Sequence, residues 1–301
     1  MQGVPSAPIF LRALAPLFCL VNIIICFRGF VLGQGPPPRP HWNRSKMKDR
    51  LTRLSVVLAN FSSLETRLVE YLDFLPYTKD TLHVVSPHFV PIILDACSLT
   101  DSVLRHFIGE SEERSSFKHY AHEAEEHLEL DAAFSIFLTP EVTFLNPFSS
   151  WKTKVPAWWS AYNRLKHDRL NHYSAATYEN TVFALCALHQ VVARNRHFIP
   201  NLISAGWFYA ESPDLGELIL AQHIQVGVKT FDVLPVESRL FVTPNRSNFV
   251  EFRRGQPVVH DDCHFSPRVR AMLSAVDCVI AGEYMETQDF VGHHEQPKRD
   301  V

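Results

Sequence analysis

Between Lys48 and Leu75 the apolar residues Leu51, Leu54, Val57, Leu58, Phe61, Leu64, Leu68, Tyr71 and Leu72 recur at steps of mostly three and four. That spacing puts them on one stripe of a long helix and leaves the opposite side polar. A long rod with one apolar stripe must be covered by other elements, so it points the chain toward helix packing. Pro76 helps end the rod. Ser86-Pro87 offers a capping hydroxyl and a first-turn proline for a second helix. Its inward face reads Phe89, Ile92, Ile93, Ala96, Thr100, Val103, Leu104 and Phe107. A third, more charged helical segment is expected from about Phe117 to Phe137, ending at Thr139-Pro140. Val142 to Leu145, just before Asn146-Pro147, reads as extended. A helix then begins near Pro156. Another follows Ser174, with Val182, Leu185, Cys186, Leu188, His189 and Val192 turned inward, and ends near Pro200.

The expected fold class is therefore mainly α, an up-and-down helical bundle over residues 47–198 with a small mixed α/β C-terminal extension over 199–285. In that extension Glu217 to Ala221 reads as a short strand or a helical turn. Gly227 to Val233 alternates at period two, Ser238 to Thr243 does so less cleanly, and Pro235 separates them. Pro267 to Ala281 reads as a helix, and 286–301 as a polar, disordered tail.

Residues 1–46 form an apolar N-terminal extension. Its core, Ala13 to Phe27, is 15 mostly apolar positions, short of the roughly 20 that a spanning helix wants. Three readings stay open. A secretory signal needs a basic start and a small-residue cleavage site, but only Arg12 precedes the run and no good A-x-A site follows it. A membrane anchor over residues 13–33 would be followed by Arg39, Arg44, Lys46, Lys48 and Arg50, and the positive-inside rule would keep the body cytoplasmic. A start-site artefact is the third, because Met47 immediately precedes the first amphipathic helix. Membrane contact is expected only if the anchor is real.

The chain has 301 residues, a formal net charge of -3 and 46% hydrophobic residues, which gives a sizeable core and no global basic excess. Its six cysteines form no C-x-x-C pair, and Cys97 and Cys186 fall inside apolar helical patterns. A reducing compartment without a disulfide framework follows. No G-x-G-x-x-G, P-loop or G-x-S-x-G is present, which argues against ATP-driven chemistry, and no cofactor is expected.

The densest chemistry lies in Trp158-Trp159-Ser-Ala-Tyr162-Asn163-Arg164-Leu165-Lys166-His167-Asp168-Arg169. Trp159, Asn163 and His167 stand four apart on a helix, with Lys166 on the same side, while Trp158, Tyr162, Leu165 and Arg169 form the adjacent stripe. One reading is a polar pocket against an aromatic wall. There His167 would be acid or base, Arg164 and Arg169 would stabilise a phosphate, and Asn163, Lys166, Tyr162 and Trp159 would bind and orient. The other is a helix pair sealed by tryptophans, with Asn163 and His167 satisfied by neighbouring backbone.

Pro156, the paired tryptophans and Tyr-Asn-x-x-Lys-His-x-Arg, followed by an alanine-rich helix to Val192, resemble bacterial HEPN-type helical proteins. The resemblance implies a helical homodimer of a defence or toxin-antitoxin system, RNA as ligand, metal-independent RNase activity in some members, and a nucleotidyltransferase partner. The family's signature is arginine, four to six residues, then histidine. Here Arg164 and His167 have two residues between them. Arg114 to His119 fits the spacing, as do Arg253 and Arg254 to His260, but all lie outside the motif helix. A non-catalytic structural or partner-binding bundle, membrane-tethered if the anchor is real, is the alternative function.

Two further clusters could ligate metal. His119, His122, Glu123 and Glu126 can share a helical face but do not form H-E-x-x-H, and His260-Asp261-Asp262-Cys263-His264 has no second ligand pair at zinc-finger spacing. Both are expected to be solvated polar segments, with no metal.

Overall fold

The computed structural model describes residues 44–108, 117–208, 234–254, 256–260, 265–275 and 279–281. The N-terminal apolar run, the segments Glu217 to Ala221 and Gly227 to Val233, and the tail 286–301 lie outside the described residues, so the expectations placed on them have no structural counterpart. The described residues beyond Asn43 belong to one compact unit. Among them, no helix is long and apolar enough to cross a membrane.

The fold is mainly helical. α1 (Arg44–Leu72) buries Leu54, Leu58, Phe61, Leu64 and Leu68, the stripe its spacing predicts, and leaves Val56 more than half exposed on the far side. α2 (Phe89–Ile108) starts where Ser86 accepts the backbone N–H of His88 through its hydroxyl and that of Phe89 through its carbonyl. Its predicted face from Phe89 to Leu104 is buried. α6 (Tyr178–Arg194), capped by the Thr177 hydroxyl on Asn180 N–H at 3.2 Å, is buried on nearly every side. It packs against α1, α2 and α5 (Ala157–His167). The Tyr178 ring stacks on Phe89 at 5.3 Å, and its hydroxyl donates to the Leu75 carbonyl at 3.1 Å, joining the start of α6 to the end of α1. Cys97 and Cys186 are buried free thiols, and burial pushes the Cys186 thiol up to about 12.

Between α2 and α5 the chain departs from the single helix expected over Phe117 to Phe137. It forms α3 (Phe117–Glu123), a four-residue α4 (Glu125–Leu128) and the strand β1 (Ser135–Phe137). Glu125 ends the helical run. Its carboxylate accepts the backbone N–H groups of Leu130 and Asp131 and the Trp151 indole N–H at 2.7 Å. Glu129 then takes a left-handed backbone, φ 48°. β1 pairs with β2 (Thr143–Leu145), in the segment expected to be extended, and with β4 (Phe241–Pro244), about a hundred residues downstream. With β3 (Pro235–Glu237) they make an antiparallel sheet in the order β2-β1-β4-β3. The sheet thus draws on both 47–198 and 199–285.

A short helix α7 (Ile199–Ser204) ends at Gly206, whose φ of 71° suits a residue without Cβ and lets Trp207 N–H reach the Leu202 carbonyl. A second sheet joins β5 (Val250–Arg253) antiparallel to β6 (Gln256–His260), and β6 parallel to β7 (Val279–Ala281). The helix expected over Pro267 to Ala281 stops early. α8 (Pro267–Ser274) is capped by Ser266, and Val279-Ile280 join the sheet. Ile136, Val242, Phe249, Val259, Phe265 and Val269 form a smaller core of their own.

Arg194 locks the sheet side to the helices. It is only 6% exposed. Its guanidinium donates to the carbonyls of Leu128, Pro244 (3.3 Å) and Ser247 (2.6 Å) and to Glu129 Oε2 (2.9 Å). Glu129 and Ser247 both have positive φ, a conformation costing on the order of 1 kcal/mol in non-glycine residues, so one side chain holds two unfavourable turns. Burial lowers the Arg194 pKa to about 10, so it stays charged near neutrality. Arg194→Met would orphan three carbonyls. The expected loss, read as the shift in urea unfolding free energy, is about 3–5 kcal/mol, and Arg194→Lys should recover part of it.

His189, expected to face inward, is fully buried. Its Nδ1 lies 2.8 Å from Thr243 Oγ1, which lies 2.6 Å from Ser135 Oγ. Gln190 Nε2 donates to that same Ser135 oxygen at 2.9 Å and to the Ala133 carbonyl. Burial moves the His189 pKa from 6.5 down to about 3. The fold therefore holds the neutral ring, while the unfolded chain takes up a proton below about 6.5. This contribution is complete above that pH and is lost as pH falls toward 3, at up to about 1.4 kcal/mol per unit. Glu65 has the opposite sign. Desolvation raises its pKa, so its neutral form is favoured and its contribution is lost as pH rises. Urea midpoints of wild type and His189→Asn at pH 7 and pH 5 isolate the imidazole: the wild type should lose more stability between them.

Candidate functional site

The motif segment folds as α5. Pro156 precedes it, and the Ser160 N–H bonds the Pro156 carbonyl at 3.0 Å. The aromatic residues take the inner side. Trp158 is buried among Phe117, Phe148 and Trp159, and its indole N–H donates to the Pro147 carbonyl at 2.7 Å. Trp159 stacks on Phe117 at 4.4 Å, and the Tyr162 ring stands 5.1 Å from Trp159. Leu165 completes the buried stripe. At the C-terminus Asp168 accepts Asn171 through backbone N–H (3.1 Å) and side-chain amide (2.6 Å), and these bonds hold its carboxyl below the usual range.

Beside α5 lies a cavity of about 450 Å³, walled by α2, α3 and α5. Phe117, Val155, Trp159 and Tyr162 make its apolar side, and Asp101, Arg105, Lys118, Asn163 and Lys166 its polar side. Arg105 bonds Asp101 at 2.8 Å and donates from Nε to the Tyr120 hydroxyl at 3.3 Å. The Tyr120 hydroxyl and then Asp101 raise its pKa, which fixes the guanidinium as a cation. Lys166 Nζ lies 5.3 Å from the centre of the Tyr162 ring, a cation–π distance. Three cationic side chains thus face one carboxylate, itself engaged by Arg105.

Of the residues singled out by sequence, Trp159, Tyr162, Asn163 and Lys166 are brought together here. His167, Arg164 and Arg169 are not. His167 is exposed, the last residue of α5, one turn beyond Asn163 and outside the cavity lining. Arg164 is exposed, with a long 3.5 Å contact from Nε to the Ser160 carbonyl of its own helix. Arg169 lines a separate shallow recess with Pro87, Val90, Pro91, Leu170 and Tyr173. Neither Asn163 nor His167 is buried against neighbouring backbone in the way the sealed-helix reading requires.

Arg105, Asp101 and Lys118 were not singled out from sequence. The available signal was the Asp101–Arg105 pair at i,i+4 on the α2 face flanking its apolar stripe. In the His119 to His127 segment, His122, Glu123 and Glu126 are exposed. Among the described residues no group of three or more His, Cys, Asp and Glu side chains is placed to hold a metal ion. Asp261 to His264 lie outside the described residues.

No family model matches the chain, and no curated protein and no solved structure is significantly similar to it.

The split within α5 predicts a split in stability. Trp158→Ala should lower unfolding free energy by about 3–5 kcal/mol, since it removes a buried ring and orphans the Pro147 carbonyl. His167→Ala should leave the thermal midpoint within experimental scatter, as exposed positions do.

Proposed function

We propose that the chain is a HEPN-like helical module of a defence or toxin-type system that holds RNA in the cavity beside α5. The observation that carries this reading is the placement of Arg105, Lys118 and Lys166 around an aromatic floor of Phe117, Trp159 and Tyr162. Phosphates are held by such cations, and the electrostatic part of the affinity follows their number. The rings are packed against one another rather than free to stack on bases. Their part is to keep the floor dry and the lysine and arginine stems in place.

In this reading α1, α2, α5 and α6 are the four long rods of an up-and-down HEPN-type bundle, and the short sheet and α8 are additions to it. Support comes from the packing of α2 and α6 against each other and of each against α1 and α5. A homodimer and a nucleotidyltransferase partner belong to the same proposal.

The cavity is assigned binding, since the described residues of its lining offer cations and an aromatic floor, whereas proton transfer near neutrality calls for a group such as an imidazole. The expected outcome is specific. Lys166→Gln and Lys118→Gln should each weaken binding of a single-stranded oligoribonucleotide and reduce the slope of log affinity against log salt by about 0.7. Unchanged affinity and slope in both variants would overturn the reading. RNA degradation, if any, should be the same in wild type and His167→Ala.

A further inference from the structure

A second cavity, of about 320 Å³, opens where the end of α2, the α3–α4 elbow and the chain just after α6 converge. Its volume is at the small end of the range that ligand pockets occupy, about 300–1,000 Å³. Phe107 and Ile108 supply its apolar edge. The polar lining is Glu123, His127, Arg194, Arg196 and His197. The ring of Phe107 lies 6.0 Å from that of His127 and 6.1 Å from that of His197, so the two imidazole centres are at most about 12 Å apart. We propose that this cavity is a phosphate-binding site, with Arg196 and the two imidazoles as ligands and Arg194 as a fixed cation in its wall.

Charge and donor geometry favour an anion. Arginine has five N–H donors, and Arg194 uses four of them on Leu128, Pro244, Ser247 and Glu129. The fifth has no acceptor among the described residues, on a guanidinium that is 6% exposed. Arg196 is exposed and forms no ion pair among the described residues. Two terms oppose. Glu123 is the one carboxylate in the lining among the described residues, and the C-terminal end of α2 carries roughly half a negative charge, offset in its last turn by Arg105 and His106. Glu129 is paired with Arg194, and Glu125 is committed to Leu130, Asp131 and Trp151. Against these stand two arginines and two imidazoles, whose ring nitrogens can donate to an anion. A cation would have to sit beside both arginines, and among the described residues no metal-competent cluster includes these side chains. Phosphate satisfies the set, because arginine and imidazolium donors match its oxygens at charge-assisted hydrogen-bond distance.

This inference stands independently of the RNA reading for the α5 cavity. The test is a titration of the full chain with sodium phosphate at pH 6.5 and constant ionic strength, following the imidazole proton resonances. The His127 and His197 signals should shift saturably, and Arg196→Gln and the double variant His127→Gln/His197→Gln should each weaken binding about tenfold or more. Lys166→Gln should leave it unchanged, which separates the two cavities. Adenosine monophosphate and a short oligoribonucleotide are the other arms. Tighter binding of the mononucleotide assigns the site to a free nucleotide phosphate, and tighter binding of the oligomer to an RNA backbone. No saturable shift, the same shift with sodium chloride, or full affinity in Arg196→Gln would overturn the proposal. Arg196 and His127 are exposed, so their substitution leaves the fold intact, and circular dichroism of each variant checks this.

Discussion

The burial of α6 on nearly every side is the constraint on which the rest of the structure depends. A helix covered by α1, α2 and α5 with its remaining face still apolar needs a further layer, and the antiparallel sheet supplies it through β4. Covering α6 completely also buries polar side chains, which then need partners. Thr181 returns its hydroxyl to the Thr177 carbonyl at 2.7 Å. His189, Gln190 and Arg194 cannot be satisfied within their own helix, and all three reach β1, β4 or the turns beside them. The sheet's position is therefore set by hydrogen bonds as well as by apolar area. A strand shifted by one residue would turn Thr243 and Ser135 to the other face, taking the hydroxyl partner from His189 and one of two acceptors from Gln190.

The same logic ties α1 to the sheet. Glu65 sits in the buried stripe of α1 and accepts from the Ser238 hydroxyl, the Leu240 N–H at 2.7 Å and the Arg239 N–H at 3.2 Å. These bonds lower its pKa, yet burial dominates and the net direction is up. The turn between β3 and β4 is held open-ended toward α1 by that one carboxyl. Tertiary hydrogen bonds, more than strand length, fix this small sheet, whose strands are each three or four residues.

Local periodicity made the helices legible. The stripes of α1, α2 and α6 and the start of α5 near Pro156 are all consequences of spacing within a few turns. β1 was not legible, because its pairing partner Phe241–Pro244 is remote in sequence and Phe117 to Phe137 has enough helical character to read as one segment. Propensity there yields to a pairing that no local window contains. The break itself turns on Glu125, whose charge reads as solvated surface in sequence but is committed to three donors in the fold. On α5 the sequence correctly marked a residue-rich helix, and four of its marked residues share a cavity. The contributions of Arg105 and Lys118 come from other elements and depend on how α2 and α3 dock.

Helical geometry explains why the α5 motif divides. At 3.6 residues per turn, Trp158, Ala161 and Leu165 must face the core once the tryptophan is buried, and Trp159, Tyr162, Asn163 and Lys166 fall on the flank that borders α2 and α3. Arg164 is rotated about 100° from Asn163 and projects away from that border. His167 shares the flank by rotation, but the helix ends there, a turn past the walls of the cavity. Among the described residues the basic side chains beside α5 thus gather without an imidazole in the cavity lining. The imidazoles that do gather, His127 and His197, stand at the opposite end of α6's buried polar row, next to Arg194. The packing of the helices thus gives the α5 cavity cations beside an aromatic floor and the second cavity arginines beside imidazoles, so a chemistry that needs both kinds of group finds them at the second site.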